Sequence, residues 1–384
     1  MQVEIYKTSS NLNQLNSEEL INLLRIYRTS NIGARTFYNL LKINSNLAEL
    51  VELLPELIRR NKGEIKIASR QDVLVEIDKT LQYGASFVTY QDANFPRILR
   101  QIDDCPPVLT IKGNPELFNQ DSIAIVGSRN CSHNAALIAQ KWAKKLGEET
   151  VIVSGLARGV DRFAHLGSME SGTIAVIAGG IDVIYPQENK DIYNKIAKNG
   201  LVIAEMPFGM QPIAKHFPKR NRIISGLSLG VLVVEASLQS GSLITARFAA
   251  EQNRECFAIP GSPFDLRAKG TNKLIKEGAY LVESAEEILE ILSQSLHRCV
   301  ANEDSAVFVN SMPGLTVLPD EQETLKVKQQ LLNLLNYTPV NIESLILMHN
   351  FDWQLLNIAL IELEIAGEIE RIANNCIIKK YKID

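Results

Sequence analysis

Residues 216–226 bring Phe217, Lys219, Arg220, Asn221 and Arg222 into one short stretch, with Lys215 just before it. An apolar, strand-like run follows directly. Cations beside an aromatic ring suit a ligand that carries both negative phosphates and flat bases. Lys and Arg neutralise phosphate, and the ring gives a base a surface to stack on. Arg adds a planar fork that grips a phosphate oxygen pair with two bonds. The stretch reads as a basic loop. Its bland alternative is a solvated loop whose Phe plugs the core.

Other chemistry is sparse. Asp161 and His165 stand one helical turn apart, a spacing that permits acid–base work. No nucleophile or metal partner lies nearby in sequence, which favours a structural pair or an Asp161 that orients a neighbouring Arg. Glu235, at the end of an apolar run, is the other candidate acid. The five histidines and five cysteines are dispersed, with no HExxH and no CxxC. That pattern argues against a metal site or a disulfide framework, for reduced thiols in a cytoplasmic protein, and for no cofactor.

Four further segments carry small residues after apolar runs. Gly127-Ser128-Arg129 follows 123–126, and Gly155 to Gly159, with Arg158, follows 151–153. Gly179 and Gly180 follow 173–177, and Ser240-Gly241-Ser242 comes shortly after 230–234. Glycine lets a backbone approach a ligand closely, and a helix starting there presents free N–H groups and a positive dipole end. Several such loops, with Arg129, Arg158, Arg220 and Arg222 among them, describe a composite anion site. Neither GxGxxG nor GxxxxGK[ST] occurs, so the usual dinucleotide and Walker A readings fail. Gly179 and Gly180 are read as allowing tight packing only.

The elements that must position these loops follow from hydrophobic patterning. From about 121 to 283, six short apolar runs alternate with helical stretches. Runs this continuous suit strands buried on both faces of a parallel sheet, with crossover helices between them. The fold class is α/β, a Rossmann-like, doubly wound, mostly parallel sheet, which binds ligands beyond its C-terminal strand ends. Expected domains are a helical unit over 1–75, an extended core over 76–292, a polar linker over 293–322 and a winged-helix-like unit over 323–384. In the first, Gly33 lies in a turn between two helical patterns and resembles a helix-hairpin-helix, although packing alone explains it too. In the last, Glu362 and Glu364 sit on the expected recognition helix, with Glu368 and Glu370 just beyond, and acidic side chains repel phosphate. Protein contact or dimer support is therefore the expected role of that unit.

At 384 residues, 46% hydrophobic and 22% charged, the chain has the length for two to three globular domains. A net charge of −4 requires that any nucleic-acid site be a local patch on an acidic body. No run approaches the apolar length of a membrane span, and the first residues hold no apolar signal core.

Taken together, GSRNCS, SGLARGVDRFAH, GTIAVIAGGIDVIYPQEN, FPKRNRIISGLS, VVEASLQSGSLITARFAAEQNRECFAIPG and KGTNKLIKEGA, in this order over 121–283, resemble the DNA-processing protein A (DprA, or Smf) family. The resemblance implies a non-catalytic protein that binds single-stranded DNA, protects incoming strands and helps load the RecA recombinase in natural transformation. It also implies a homodimer. By motif, it assigns phosphate contacts to Gly127, Ser128, Arg129 and the loop holding Gly155, Arg158 and Gly159. Lys215, Lys219, Arg220, Asn221 and Arg222 would line the same groove, Phe217 would meet a base, Ser240, Gly241 and Ser242 would offer a helix N-terminus, and Lys190 is an outlying member. The rival reading is a phosphoribohydrolase-like enzyme that binds a mononucleotide and uses Glu235. The PGGxGT signature of that group is missing. A third reading, a duplex-binding regulator acting through the C-terminal unit, conflicts with the acidic helix.

Overall fold

The computed structural model describes residues 17–60, 66–300, 318–372 and 375–380. Most of the stretch expected to be a linker, and the first residues of the chain, lie outside these.

The chain opens with α1 (Ser17–Tyr27), α2 (Ala34–Ile43), α3 (Leu47–Arg59) and α4 (Arg70–Gln82). Asn46 caps α3 and Ser69 caps α4 through their side-chain oxygens, satisfying backbone N–H groups that a helix start leaves unpaired. Helix α4 runs across residue 75, where the helical unit was expected to end. Next come β1 (Ser86–Thr89), α5 (Arg97–Arg100) and β2 (Val108–Gly113).

The core then alternates strand and helix. In order it holds β3 (Ser122–Val126), α6 (His133–Leu146), β4 (Val151–Ser154), α7 (Val160–Gly167), β5 (Thr173–Ile177), α8 (Lys190–Asn199) and β6 (Leu201–Ala204). There follow α9 (His216–Gly226), β7 (Gly230–Val233), α10 (Ser242–Glu251), β8 (Glu255–Ala258), α11 (Lys269–Lys276), β9 (Tyr280–Leu281) and α12 (Ala285–Val300). One nine-stranded sheet has the order β1-β2-β6-β5-β4-β3-β7-β8-β9. From β6 to β9 all pairings are parallel, and β2 joins β6 antiparallel.

Successive side chains in these strands face opposite ways, so each strand feeds two cores. Ala124, Val126, Val231 and Val233 pack with Ile223 and Ile224 of α9 and Ala246 and Ala249 of α10. Ile123, Ile125, Leu232 and Val234 pack on the other side, with Ala139 and Trp142 of α6 and Ala164 of α7. The chain therefore leaves β3 toward one face and its neighbour β7 toward the other. That divergence opens a crevice beyond the strand ends, the switch point of such a sheet.

The stretch 216–226, expected as a loop, is helix α9. Pro218 is tolerated because it lies in the first turn, where its missing N–H has no helical partner to lose.

The C-terminal domain consists of α13 (Glu321–Leu334), β10 (Val340–Asn341), α14 (Ile342–His349), α15 (Trp353–Ile365), β11 (Ile369–Ile372) and β12 (Cys376–Lys379). Three helices and a small antiparallel sheet make a winged helix. The acidic reading of α15 needs correction. Glu362 and Glu364 are buried and ion-paired, Glu362 with Lys328 and Arg60, and Glu364 with Arg371. They do not form a surface that repels phosphate. Among the described residues no helix is long and apolar enough to cross a membrane.

Candidate nucleic-acid interface

The crevice beyond β3 and β7 holds two adjoining cavities, of about 230 and about 450 Å³. Arg129, Asn130, Ala157, Phe217 and Arg220 line both, so the two cavities form one groove. The larger side is walled by Gly127, Ser128 and Asn221 and by Ser240, Gly241 and Ser242 at the start of α10. The smaller side is walled by Gly155, Arg158, Gly179, Tyr185 and Pro186.

Helix geometry explains what α9 contributes. Phe217, Arg220 and Asn221 are spaced i, i+3, i+4 and share one face. Tyr185 meets the Phe217 ring edge-on at 5.8 Å, and the Arg129 guanidinium sits 5.0 Å from its centroid. Arg220 lies deeper, buried, with Nη1 donating to the Val176 carbonyl at 3.3 Å. Asn221 donates to the Gly241 carbonyl at 3.3 Å and ties α9 to the α10 loop.

Two glycines make room for this floor. A Cβ on Gly155 would stand 1.4 Å from Arg220 Nη1, so any side chain there evicts the guanidinium. Gly159 has φ +72°, and its Cβ would lie 2.2 Å from the Ser128 carbonyl oxygen. Asp161 holds the same loop by accepting from the Gly155 and Ala157 N–H groups at 3.2 and 3.3 Å. Burial raises the Asp161 pKa, with Arg220 opposing, and burial lowers that of Arg220 to about 10, with Asp161 opposing. Both groups lie against the Gly155 backbone, where a Cβ would also stand 2.8 Å from Asp161 Oδ2.

The other candidate acids are occupied. His165 pairs through Nδ1 with Thr173 Oγ1 at 2.8 Å, and burial pushes its pKa down to about 3. It pairs with Thr173 and not with Asp161. The Glu235 carboxylate accepts the Ser132 N–H at 3.1 and 3.2 Å, and its carbonyl accepts from Ser128 N–H at 2.8 Å. Glu235 thus buttresses the loop after β3. Ser132 caps α6, whereas α7 and α10 start at Gly159 and Gly241 with no side-chain cap, and early N–H groups there meet backbone carbonyls instead: Val160 donates to Ser128 at 3.2 Å, Leu243 to Ser240 at 3.1 Å and Ile244 to Gly241 at 3.2 Å. Among the described residues no cluster of three or more His, Cys, Asp or Glu could hold a metal ion.

Several expected residues fall elsewhere. Arg222 stands about 200° from Arg220 around the helix, at about 100° per residue. Its guanidinium is buried against Glu205 and lies 3.6 Å from Asp104, on the far side of α9 from the groove. It has no surface to offer a phosphate, which overturns its expected place in the lining. Lys215 and Lys219 are exposed at the start of α9, and Lys190 is exposed at the start of α8, all outside the lining. Arg158 lines the smaller side but is ion-paired with Glu188. Asn130, Tyr185 and Thr245 line the groove without having been singled out. The Tyr-Pro pair following Gly179-Gly180 was the signal available for Tyr185.

The fold and the groove define a class: a Rossmann-like protein with an open cationic crevice at the sheet's switch point, carried between two small helical domains. Residues 86–293 match the family model described as DNA recombination-mediator protein A. Residues 17–78 match a DprA-like N-terminal HHH domain, and 318–375 a DprA winged helix domain. The chain belongs to the DNA recombination-mediator protein A family, DprA/Smf. It is 46% identical over 215 residues to the DNA processing protein DprA of Streptococcus pneumoniae, covering 56% of this chain and 76% of that one. A solved structure of S. pneumoniae DprA superposes with a TM-score of 0.53 at 36% identity, covering 67% of this chain and 98% of the other. The Helicobacter pylori protein, whose solved structure is described by its single-stranded DNA binding mode, gives 0.51 at 29% identity, covering 55% and 96%.

Proposed function

We propose that this chain binds single-stranded DNA in the α9 groove and serves as a recombination mediator, without catalytic turnover. The observation that carries the reading is the Phe217 ring, set against Tyr185 and Arg129 in a groove edged by the glycine-bearing starts of α7 and α10. A single strand exposes phosphates and both faces of its bases. Cations, backbone amides and a ring bind it without reading sequence. The single-stranded DNA binding described for the H. pylori relative supports the assignment.

Gly127, Ser128, Arg129, Gly155, Arg158, Gly159, Arg220, Asn221, Ser240, Gly241 and Ser242 make up the proposed contact set, with Lys190, Lys215 and Lys219 as outer cations. Arg222 is left out. Loading of RecA, a homodimeric state and a cytoplasmic location complete the proposal, with the resemblance to the family as their support.

The test is fluorescence anisotropy of a labelled oligo(dT), with duplex competitor, for wild type and Arg129→Ala. Tight, salt-dependent binding, poorly competed by duplex and weakened by the substitution, is expected. A folded wild type that ignores oligo(dT) would sink the proposal. Release of free base from nucleoside monophosphates would favour the enzyme reading instead.

A further inference from the structure

Helix α15 holds the place of a winged helix's recognition helix, the element that would enter a duplex groove. Here it is buried on two sides. Leu356, Leu360 and Leu363 pack within its own domain. Ile358, Ile361 and Ile365 instead join the core formed by α1, α2 and α3. At its end, Asn31 of the turn between α1 and α2 donates through Nδ2 to the Ile365 carbonyl at 2.9 Å. The turn that could have faced a phosphate caps a helix C-terminus instead.

Ion pairs and one hydrogen bond to a backbone carbonyl continue this contact toward the groove. Glu364 of α15 pairs with Arg371 at 2.9 Å, and the Arg371 carbonyl accepts from Arg35 Nη1 at 3.2 Å. Arg35 lies 3.8 Å from Asp104, which lies 3.6 Å from Arg222 of α9. Arg222 also pairs with Glu205, which accepts from Tyr27 Oη of α1 at 2.5 Å. Two residues before Arg222 on the same helix, Arg220 forms the groove floor. The Glu364–Arg371 and Arg222–Glu205 pairs at the two ends of this seam are buried, and removing one member of either strands its partner's charge, whereas Arg35 and Asp104 between them are partly exposed.

We propose that seating of the C-terminal domain on the N-terminal domain is energetically coupled to occupancy of the groove, through Arg35, Asp104 and Arg222 onto α9. Helix α15 is then an intramolecular docking element, and its seating holds α9 in the geometry that receives the strand. This rests on the single-stranded DNA reading of the groove. By linkage, the factor by which seating raises affinity equals the factor by which bound strand favours seating.

The full chain tests it with Glu364→Gln, and with Glu370→Gln as control. Glu370 is exposed and pairs with Lys380 outside the seam. Hydrogen exchange of α15 amides reads seating, and oligo(dT) anisotropy reads the groove. Glu364→Gln should speed α15 exchange and weaken oligo(dT) binding about fivefold or more, the usual scale of such coupling, with the salt slope unchanged because no phosphate contact is lost. Saturating oligo(dT) should slow α15 exchange in the wild type.

The idea fails if α15 exchange ignores oligo(dT), or if Glu364→Gln frees α15 yet binds like the control. Should that variant not fold, the exposed Arg59–Glu321 pair, 2.8 Å apart across the two domains, offers a lock. Arg59→Cys with Glu321→Cys, joined by a short bis-maleimide, should bind oligo(dT) more tightly than the same protein left unjoined. Equal affinity overturns the coupling. A wild type that binds no oligo(dT) would instead break the groove reading, before any seam variant is made.

Discussion

The groove and the interdomain seam are both built with arginine, yet the two regions use it oppositely. In the seam, Arg222 pairs with Glu205 and Arg371 with Glu364, both largely out of water. In the groove, Arg129 is exposed, rests on a ring and makes no ion pair among the described residues. A buried guanidinium must bring its counter-charge from the same chain. An exposed one can wait for a ligand's phosphate. What separates Arg222 from Arg129 is burial against a paired carboxylate, not the surrounding motif. Arg220, two residues before Arg222 on α9, is a third case: it is buried with Asp161 nearby, yet it lines the groove.

The largest expected effect cuts that comparison at its seam end. Arg222→Ala strands Glu205 and should cost about 3–5 kcal/mol of stability. The salt slope of oligo(dT) binding by the folded fraction should stay as in wild type. Denaturant melts and salt titrations measure the two, and a flattened slope would return Arg222 to the groove.

Behind the groove wall, His165 gives a pH signature. Its folded pKa is about 3, against 6.5 when unfolded. Below pH 6.5 the unfolded chain takes up a proton that the folded chain refuses. Stability should therefore fall as pH drops from 6.5 toward 3, by up to about 1.4 kcal/mol per unit from this group. His165→Gln should flatten that fall between pH 6.5 and 5 in urea melts. An unchanged fall would mean that His165 is protonated in the fold.

At the groove end, Phe217→Ala should cost ~1–3 kcal/mol of oligo(dT) affinity through lost stacking. Unaltered affinity would remove Phe217 from the site. Arg129→Ala should leave stability within ~0.5 kcal/mol and flatten the salt slope by about 0.7, one single-strand phosphate. About four phosphates in all would set the wild-type slope near −3, at roughly 0.7 each. Arg158→Ala should change least, because Glu188 already neutralises that exposed guanidinium. If Arg158→Ala weakened binding more than Arg129→Ala, the rule drawn from paired and unpaired arginines would be wrong.

Much of the architecture was legible in sequence, because six continuous apolar runs leave few arrangements other than a parallel sheet covered on both faces. The loops that build the groove were legible too, since small residues just after strands sit at a known edge of such a sheet. The reading of α9 as a loop was where local pattern misled. Its cations and Pro218 masked a helix, and only helical geometry shows that Arg220 and Arg222 point apart. Glu362 and Glu364 misled for the same reason, because a carboxylate's charge is visible in sequence and its partner is not. Lys328, Arg60 and Arg371 reach them from other helices and strands.

The sequence by itself determined the sheet, its glycine-bearing edge and the kind of ligand that edge suits, since periodicity and residue type act over a few neighbours. Tertiary structure alone decided which cations remain free for that ligand, and that α15 docks onto another domain. Burial and ion pairing depend on residues tens to hundreds of positions away, such as Tyr27 with Glu205 and Asn31 with Ile365, which meet only when the domains close on one another.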